Sequence, residues 1–583
     1  MTSILGISCF YHDAGACLLQ DGSLVAAAEE ERFTRRKHDS GFPSHAIQYC
    51  LAQGGIRADQ LDYVAYYEKP FLKFERILHS YIATFPRAWR AFLQAIPVWL
   101  RQKLWIKYLI REQLRYKGPL VFVDHHLSHA ASAYFVSPFQ EAALLTVDGV
   151  GEWTTAARGY ASGNNIQLTH EIHYPHSLGL LYSAFTAHLG FEVNDGEYKV
   201  MGMAPYGQPS YYDQVRRLID LREDGSFALD MSYFGYHYSM RTLNERFRRL
   251  FGDPRAGEAS LEQRYADQAA SIQKVLEEAM VNAARALHRD TGSDNLCMAG
   301  GVALNCVANA RVLEQSGFRH LFVQPAAGDS GGCVGAATYL NYALLGNERS
   351  YVMNDACLGP SYSVEHIRSF LDGHSIAYTE YPAPEMVRVV AQLLAAGNVV
   401  GWFQGRMEFG PRALGSRSIL ADPRDPAMKD VLNEKIKHRE QFRPFAPAVL
   451  REAVPDYFEF EGDAPFMLLV ARVRPEKKDV IPAVTHVDGT ARLQTVTREH
   501  NGIYYDLIAE FGRLTGVPII INTSFNVRGE PIVCTPEEAY NCFTHTDMDY
   551  LALGSCLVSS AAKKAIASYP VKRGARLVEE VIA

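Results

Sequence analysis

One strand–turn–strand plan occurs twice in this chain, and that repetition limits the fold more than any other feature. Ile4 to Phe10 and Ala14 to Leu19 are apolar runs, Asp21-Gly22 supplies a tight turn, and Ser23 to Ala28 returns. The plan recurs as Ala142 to Val147, the turn Asp148-Gly149-Val150-Gly151, Thr154 to Tyr160, the turn Ser162-Gly163-Asn164-Asn165, and Ile166 to His170. Such a duplication predicts two similar sheet-bearing halves facing a cleft, with both strand-end turns at one ligand. Downstream, a helix is expected over Leu261 to Arg289, ended by Thr291-Gly292. Strands follow at Asn295 to Met298 and His320 to Gln324, and a helix from about Val334. This alternation is α/β. A chain of 583 residues is too long for a single core. The texture changes at Leu358-Gly359-Pro360-Ser361, so the expected domains are 1–357 and 358–583. The second is an α/β unit to about Leu557, and Lys563 to Ala583 is expected as a surface helix or tail.

Composition narrows the function classes. A net charge of −7 gives no global basic excess for nucleic acid. The ten cysteines, among them Cys9, Cys17, Cys50, Cys297 and Cys306, include no C-x-x-C pair, which fits reduced thiols and a cytoplasmic setting. Met1 to Ile7 has neither a basic n-region nor a cleavage site, so no signal peptide is expected. No uncharged apolar run is long enough to span a bilayer. One local exception to the charge balance is the insertion between the two copies. Lys69 to Lys117 carries eleven basic and two acidic residues and three of the five tryptophans, Trp89, Trp99 and Trp105, at helical spacing. A membrane-surface or partner helix would have this pattern. Packed helices with a solvated basic rim are the simpler reading.

Three glycine turns each follow a strand: Asp148-Gly149-Val150-Gly151, Gly300-Gly301-Val302-Ala303-Leu304-Asn305, and Gly328-Asp329-Ser330-Gly331-Gly332. Glycine lets backbone approach phosphate oxygens, and a following helix N-terminus favours anions. Any one could be a plain turn; three together point to a nucleotide. His125 and His129, at i and i+4, share a helix face and can grip one ion. Asp148 and Asp329 lie in two of the glycine turns and complete an N/O donor set for a divalent transition metal with open positions. His126 is expected to be satisfied by ordinary hydrogen bonds. His12 ends the first strand, in Phe10-Tyr11-His12-Asp13, and reads equally as a general base or a turn-capping histidine. The run Arg35-Arg36-Lys37-His38-Asp39, with Lys37 as a cofactor-binding candidate, is either an anion holder or a solvated charge run.

Three C-terminal segments set arginines among glycine, proline and phenylalanine. They are Gly405 to Ser418 with Arg412, Lys435 to Pro447 with Arg439 and Arg443, and Asn522 to Pro531 with Ser524 and Arg528. Guanidinium forks held this way match phosphate or carboxylate oxygens. Internal pairing with Glu408, Glu440 and Glu530 would account for some of them.

Taken together these motifs resemble the O-carbamoyltransferases, the nodulation-factor and antibiotic-tailoring enzymes. The resemblance rests on His12, Asp-His-His-Leu-Ser-His-Ala-Ala from Asp124, Asp-Gly-Val-Gly-Glu from Asp148, Glu-Tyr-Lys-Val-Met-Gly-Met-Ala-Pro-Tyr-Gly from Glu197, and Gly-Gly-Val-Ala-Leu-Asn from Gly300. In the C-terminal half it rests on Phe-Gly-Pro-Arg-Ala-Leu-Gly-Ser-Arg-Ser from Phe409, Phe-Arg-Pro-Phe-Ala-Pro from Phe442 and Asn-Thr-Ser-Phe-Asn from Asn522. It implies an α/β protein with a duplicated N-terminal domain of the actin/hexokinase superfold, similar to tRNA threonylcarbamoyltransferases. A C-terminal α/β domain similar to threonylcarbamoyl-AMP synthases would follow it. It further implies that carbamoyl phosphate and ATP give carbamoyl-AMP, whose carbamoyl group passes to an acceptor hydroxyl. His125, His129, Asp148 and Asp329 would hold iron(II), and His12 would be the catalytic histidine. Gly300, Gly301 and Asn305 would belong to the adenine-nucleotide loop. Arg439, Arg443, Ser524 and Arg528, with Arg412 a looser match, would line the carbamoyl-phosphate and carbamoyl-AMP pocket.

The expected partner is a small-molecule hydroxyl acceptor, with no nucleic acid; the oligomeric state stays open, a homodimer included. Three other readings compete with this one. A tRNA-modifying transferase needs a basic face, and only Lys69 to Lys117 favours it. A carbohydrate kinase of the same superfold leaves the arginine segments unexplained. A non-catalytic ATP switch leaves His12 and the metal ligands without purpose.

Overall fold

The alternation of apolar runs and glycine turns folds as two five-stranded sheets of identical plan. In this computed structural model, which describes residues 2–101, 103–239, 241–257 and 262–564, the first sheet holds β1 (Ser3–Ser8), β2 (Gly15–Gln20), β3 (Ser23–Glu29), β4 (Tyr63–Tyr66) and β5 (Leu120–Phe122). Its order is β3-β2-β1-β4-β5. The second holds β6 (Glu141–Val147), β7 (Thr154–Ser162), β8 (Asn165–His173), β9 (Asn295–Ala299) and β10 (His320–Val323), in the order β10-β9-β6-β7-β8. In each copy the first three strands form an antiparallel meander, and the fourth and fifth join parallel to the first. A two-residue turn suffices for the meander, whereas the parallel joins need long crossovers. That requirement is why helices and the 69–117 insertion fall where they do. The tandem of one topology is the duplicated α/β arrangement expected from the sequence.

The chain divides into two compact units. Among the described residues, the first comprises those up to Glu30 and His38–Met353; the second takes Glu31–Lys37 and 354–564. The cut therefore falls after Met353 instead of Cys357, and residues 31–37 cross to the second unit. Side-chain chemistry explains the crossing. Arg32 Nη2 donates to the Gly410 carbonyl at 2.8 Å, and Arg35 donates to the carbonyls of Pro531 and Ile532 at 2.7 and 2.6 Å. Phe33 packs on Met407, Ala413, Ile532 and Cys534.

The second unit is built on a ten-stranded mixed sheet. Val400–Phe403, Arg417–Ala421, Ile519–Ser524, Ala446–Leu450 and Thr490–Val496 are consecutive neighbours across its middle. Ile519, Ile520, Ile521, Val449 and Trp402 are fully buried there. The long helix of the first unit runs Gln263–Thr291 and ends on Gly292 in the left-handed region, as the Thr-Gly signal predicts; Leu261 lies outside the described residues. The tail expected over 563–583 also lies outside them beyond Lys564. All ten cysteines are free thiols. Among the described residues no helix is long and apolar enough to cross a membrane.

Candidate functional site

The helix His125–Tyr134 carries the first two predicted ligands. Half of its residues are alanine or serine, and all but Leu127 are buried. Small side chains let it pack backbone-close against Gly332–Thr338, where a Cβ on Gly335 would stand 1.7 Å from the Ser128 carbonyl oxygen. The helix start is held by Glu152, from the β6–β7 turn, whose carboxylate accepts from the His125 backbone N–H at 3.1 Å and from the Lys69 N–H at 2.7 Å. The turn that supplies Asp148 thus also fixes the histidine helix.

His125, His129, Asp148 and Asp329 converge. One donor atom from each lies within 4.8 Å of all the others, and all four residues are buried. The two Nε2 atoms are 3.1 Å apart, and His125 Nε2 lies 3.1 Å from Asp148 Oδ2. Asp329 Oδ1 is 3.7 and 3.6 Å from the two rings. Asp148 is aimed by its other oxygen, which accepts the Gly301 N–H at 2.8 Å. Burial lowers the basicity of His129, yet the Asp148 and Asp329 carboxylates outweigh it and raise its pKa to about 9. Burial raises Asp148, but His125 and His129 hold it well below the usual carboxylate range. Asp329 Oδ2 and the Nδ1 atoms of both histidines are buried without a hydrogen-bond partner. Two facing imidazole nitrogens, two carboxylates and an orphaned buried oxygen fit a divalent cation. His126 turns elsewhere, with Nδ1 2.8 Å from the Thr146 hydroxyl.

His12 sits in the β1–β2 turn, whose strands abut the Asp329 turn: Ser8 Oγ donates to the Ser330 carbonyl at 3.3 Å. Asp13 bridges two histidines, at 2.9 Å from His12 Nδ1 and 2.7 Å from His38 Nδ1. The rings stack with centroids 4.8 Å apart, and His38 Nε2 reaches Asp195 at 3.2 Å. His12 Nε2 lies 3.2 Å from the Asn194 carbonyl. Both His12 nitrogens therefore face acceptors, an arrangement that favours the protonated ring. Its pKa moves accordingly: burial lowers it, and Asp13 more than compensates, for a net rise. Phe10, Asp13, His38 and Asn194 all take positive φ (73°, 42°, 55° and 69°), a clustering of strained backbone typical of functional sites.

The glycine turns have structural work of their own. Gly300 has φ +94°, and a Cβ there would come within 2.2 Å of the Val147 carbonyl oxygen, so glycine is required by packing. The Asn305 side chain caps the helix Cys306–Gln315 and exchanges hydrogen bonds with Gln273 at 2.9 and 3.2 Å. Gly149 faces open space, and its carbonyl accepts from Ser177 Oγ at 2.7 Å. Sequence reasoning did not single out Glu152 or Glu68. The latter is buried, paired with Lys73 at 2.7 Å and 4.0 Å from His125 Nδ1. In the sequence Glu152 is only the last residue of Asp-Gly-Val-Gly-Glu, with no role of its own, and Glu68 carries no signal beyond a lone acid after a strand.

In the second unit basic side chains gather around Lys437 and Glu440. Lys437, which sequence reasoning passed over beside the arginines, is buried; its ammonium donates to the Ser524 carbonyl and to Asn526 O and Oδ1 at 3.0 and 2.9 Å. Burial and the charges of Arg439 and Arg443 push Lys437 well below the usual lysine range. Arg443 Nε lies 3.1 Å from Glu440, and Arg528 Nη2 is 3.9 Å from the same carboxylate. Arg439 lies on the Phe445 ring at 4.7 Å and donates to Asn433. Internal pairing thus accounts for part of the cluster, through Glu440. Glu408 instead accepts the backbone N–H groups of Leu414, Ser416 and Arg417. It thereby shapes the loop that bears Arg412, which is half-buried. Lys37 lies at the end of the 31–37 segment, in the second unit.

Comparisons with known proteins agree with this layout. A family profile described as carbamoyltransferase N-terminus matches residues 3–338, and one described as carbamoyltransferase C-terminus matches residues 391–560. An uncharacterized protein of Synechocystis is 50% identical over 97% of both chains. Nodulation protein NolNO of Sinorhizobium fredii is 38% identical over 94% of this chain and 79% of its own. Nodulation protein NolO of Bradyrhizobium diazoefficiens is 38% identical over 75% of this chain and 78% of its own.

Proposed function

This chain belongs to the carbamoyltransferase family, and we propose that it carries out ATP-dependent O-carbamoylation of a small-molecule hydroxyl by way of carbamoyl-AMP. In the second unit, carbamoyl phosphate and water give carbamate and phosphate; carbamate then attacks the α-phosphorus of ATP, releasing pyrophosphate. The cluster of Lys437, Arg439, Arg443 and Arg528 is the natural host for these anions. In the first unit the acceptor oxygen bonds to the carbamoyl carbon, AMP leaves with the bonding electrons, and the hydroxyl proton goes to His12. His12 takes it in the neutral form, with Nε2 freed from the Asn194 carbonyl; Asp13 keeps the ring oriented through Nδ1.

The observation that carries the reading is the buried convergence of His125, His129, Asp148 and Asp329 beside the His12 turn. These residues would hold a divalent transition metal, iron(II) in this proposal. When bound it supplies a Lewis acid for negative charge developing on the carbonyl oxygen. A plain kinase or ATP switch has no use for the site and the second-unit cations together.

The test is ATP–pyrophosphate exchange on the full chain, followed by mass spectrometry of a hydroxyl-acceptor panel incubated with ATP and carbamoyl phosphate. Exchange that requires carbamoyl phosphate, and products in which one carbamoyl replaces one hydrogen, are expected. Exchange indifferent to carbamoyl phosphate would overturn the proposal.

A further inference from the structure

The insertion between the two sheet copies turns outward in a way its helical spacing did not disclose. Its helices are Pro70–Ala83, Trp89–Arg101 and Ile106–Leu114. The middle one buries Ala91, Ala95 and Trp99 on one side. On a second side it carries Trp89, Leu93 and Leu100, each about half exposed (52, 52 and 51%). These three fall at i, i+4 and i+11, a single stripe by helical geometry. Phe85, Trp105 and Tyr108 extend the same exposed apolar character at 67, 58 and 61%. Ten of the sixteen large apolar side chains exposed among the described residues lie between Phe71 and Tyr108. Such a concentration marks an interaction site, since scattered single residues are the norm. The simpler expectation, helices packed with only a charged rim, does not account for it.

Charge identifies the occupant. Arg87, Arg90, Arg101, Lys107 and Arg111 are exposed among these side chains, in a segment with eleven basic and two acidic residues and a chain of net charge −7. A two-fold contact with a second copy would press this basic face onto itself. Tryptophan, tyrosine and phenylalanine bordered by arginine and lysine suit an interface with apolar depth and anionic head groups. We propose that this face docks the first unit on an anionic lipid surface, the aromatic and aliphatic side chains entering the head-group region and the cations binding phosphate and carboxylate groups. The docking does not depend on the reaction proposed above.

The test is co-sedimentation of the full chain with vesicles of phosphatidylcholine containing phosphatidylserine, and with vesicles of phosphatidylcholine alone, at low and high salt. Binding to the anionic vesicles that weakens with salt is expected, with a blue shift of tryptophan emission. The double variant Trp89→Glu with Leu93→Glu should lower binding by about tenfold or more, as should Arg87→Gln with Arg90→Gln. The replaced side chains are exposed, so circular dichroism and thermal melting of the variants should match the parent. Failure to bind anionic vesicles, or equal binding to neutral ones, would overturn the proposal. So would a concentration-dependent dimer that the glutamate variant dissolves in the absence of vesicle binding, which would assign the face to a second copy.

Discussion

At the scale of single residues, two clusters of imidazole and carboxylate stand out. In the first, two of the four candidate ligands are held by the protein itself: Gly301 aims Asp148, and Glu152 anchors the His125 backbone. Asp329→Asn keeps the shape and removes one charge. It should lower bound divalent metal at least about tenfold, read by elemental analysis of the purified chain, while pyrophosphate exchange persists. In the second cluster, His12→Asn should abolish transfer and spare exchange; an active variant would remove His12 from the mechanism. Asp13 should show itself in stability against pH. His12, whose ordinary value is 6.5, is raised, so its contribution is complete below about pH 6.5 and fades as pH climbs through the folded value. Asp13, ordinarily 3.8, is raised by burial but lowered further by His12 and His38, so its contribution is complete above about pH 4 and is lost as pH falls through its folded value. The pair is therefore strongest between those limits. Asp13→Asn should destabilise the chain by about 1 kcal/mol or less near pH 6 and by less near pH 9, measured by urea unfolding. A loss that grows toward alkaline pH would contradict the pairing.

At the scale of elements, the site depends on how closely two helices approach. Gly335 permits Gly332–Thr338 to lie against His125–Tyr134, and any Cβ there collides with the Ser128 carbonyl. Gly335→Ala must push the histidine helix away from Asp148 and Asp329. A loss of about 2–4 kcal/mol in unfolding free energy, with weaker metal binding, is expected. Unchanged metal affinity would show that the helix is held by Glu152 alone. In the sequence this glycine was only one more small residue in an apolar stretch. Its role depends on which helix lies opposite, and that is set by the sheet order.

At the scale of the whole molecule, the feature with most consequence is the exchange of residues 31–37. They lie between two pieces of the first unit in sequence and fold with the second. Arg35 satisfies two backbone carbonyls and approaches Glu538 at 3.5 Å, so it ties down a loop on the far side of its unit's sequence. Arg35→Ala should destabilise the second unit by about 1–3 kcal/mol and leave the first unit's transition in place, read as separate calorimetric transitions. A shift of the first transition alone would refute the assignment of this segment.

The duplicated meander, the α/β alternation, the histidine pair and the two aspartates were legible in the sequence because each is a local pattern. Strand and helix periods, a turn glycine and an i, i+4 spacing need only neighbouring residues to be read. What only the tertiary structure decided depends on residues far apart in the chain. Asp148 and Asp329 meet the histidine helix because β6 and β10, the strands they follow, lie on either side of β9 in one sheet. That Gly301 donates to Asp148 and that Asn305 caps the helix Cys306–Gln315 likewise became visible only in the fold. Lys437 drew notice only once burial and its arginine neighbours were visible. The outward side of the 69–117 helices followed the same rule, since periodicity reveals an apolar stripe but not whether anything covers it.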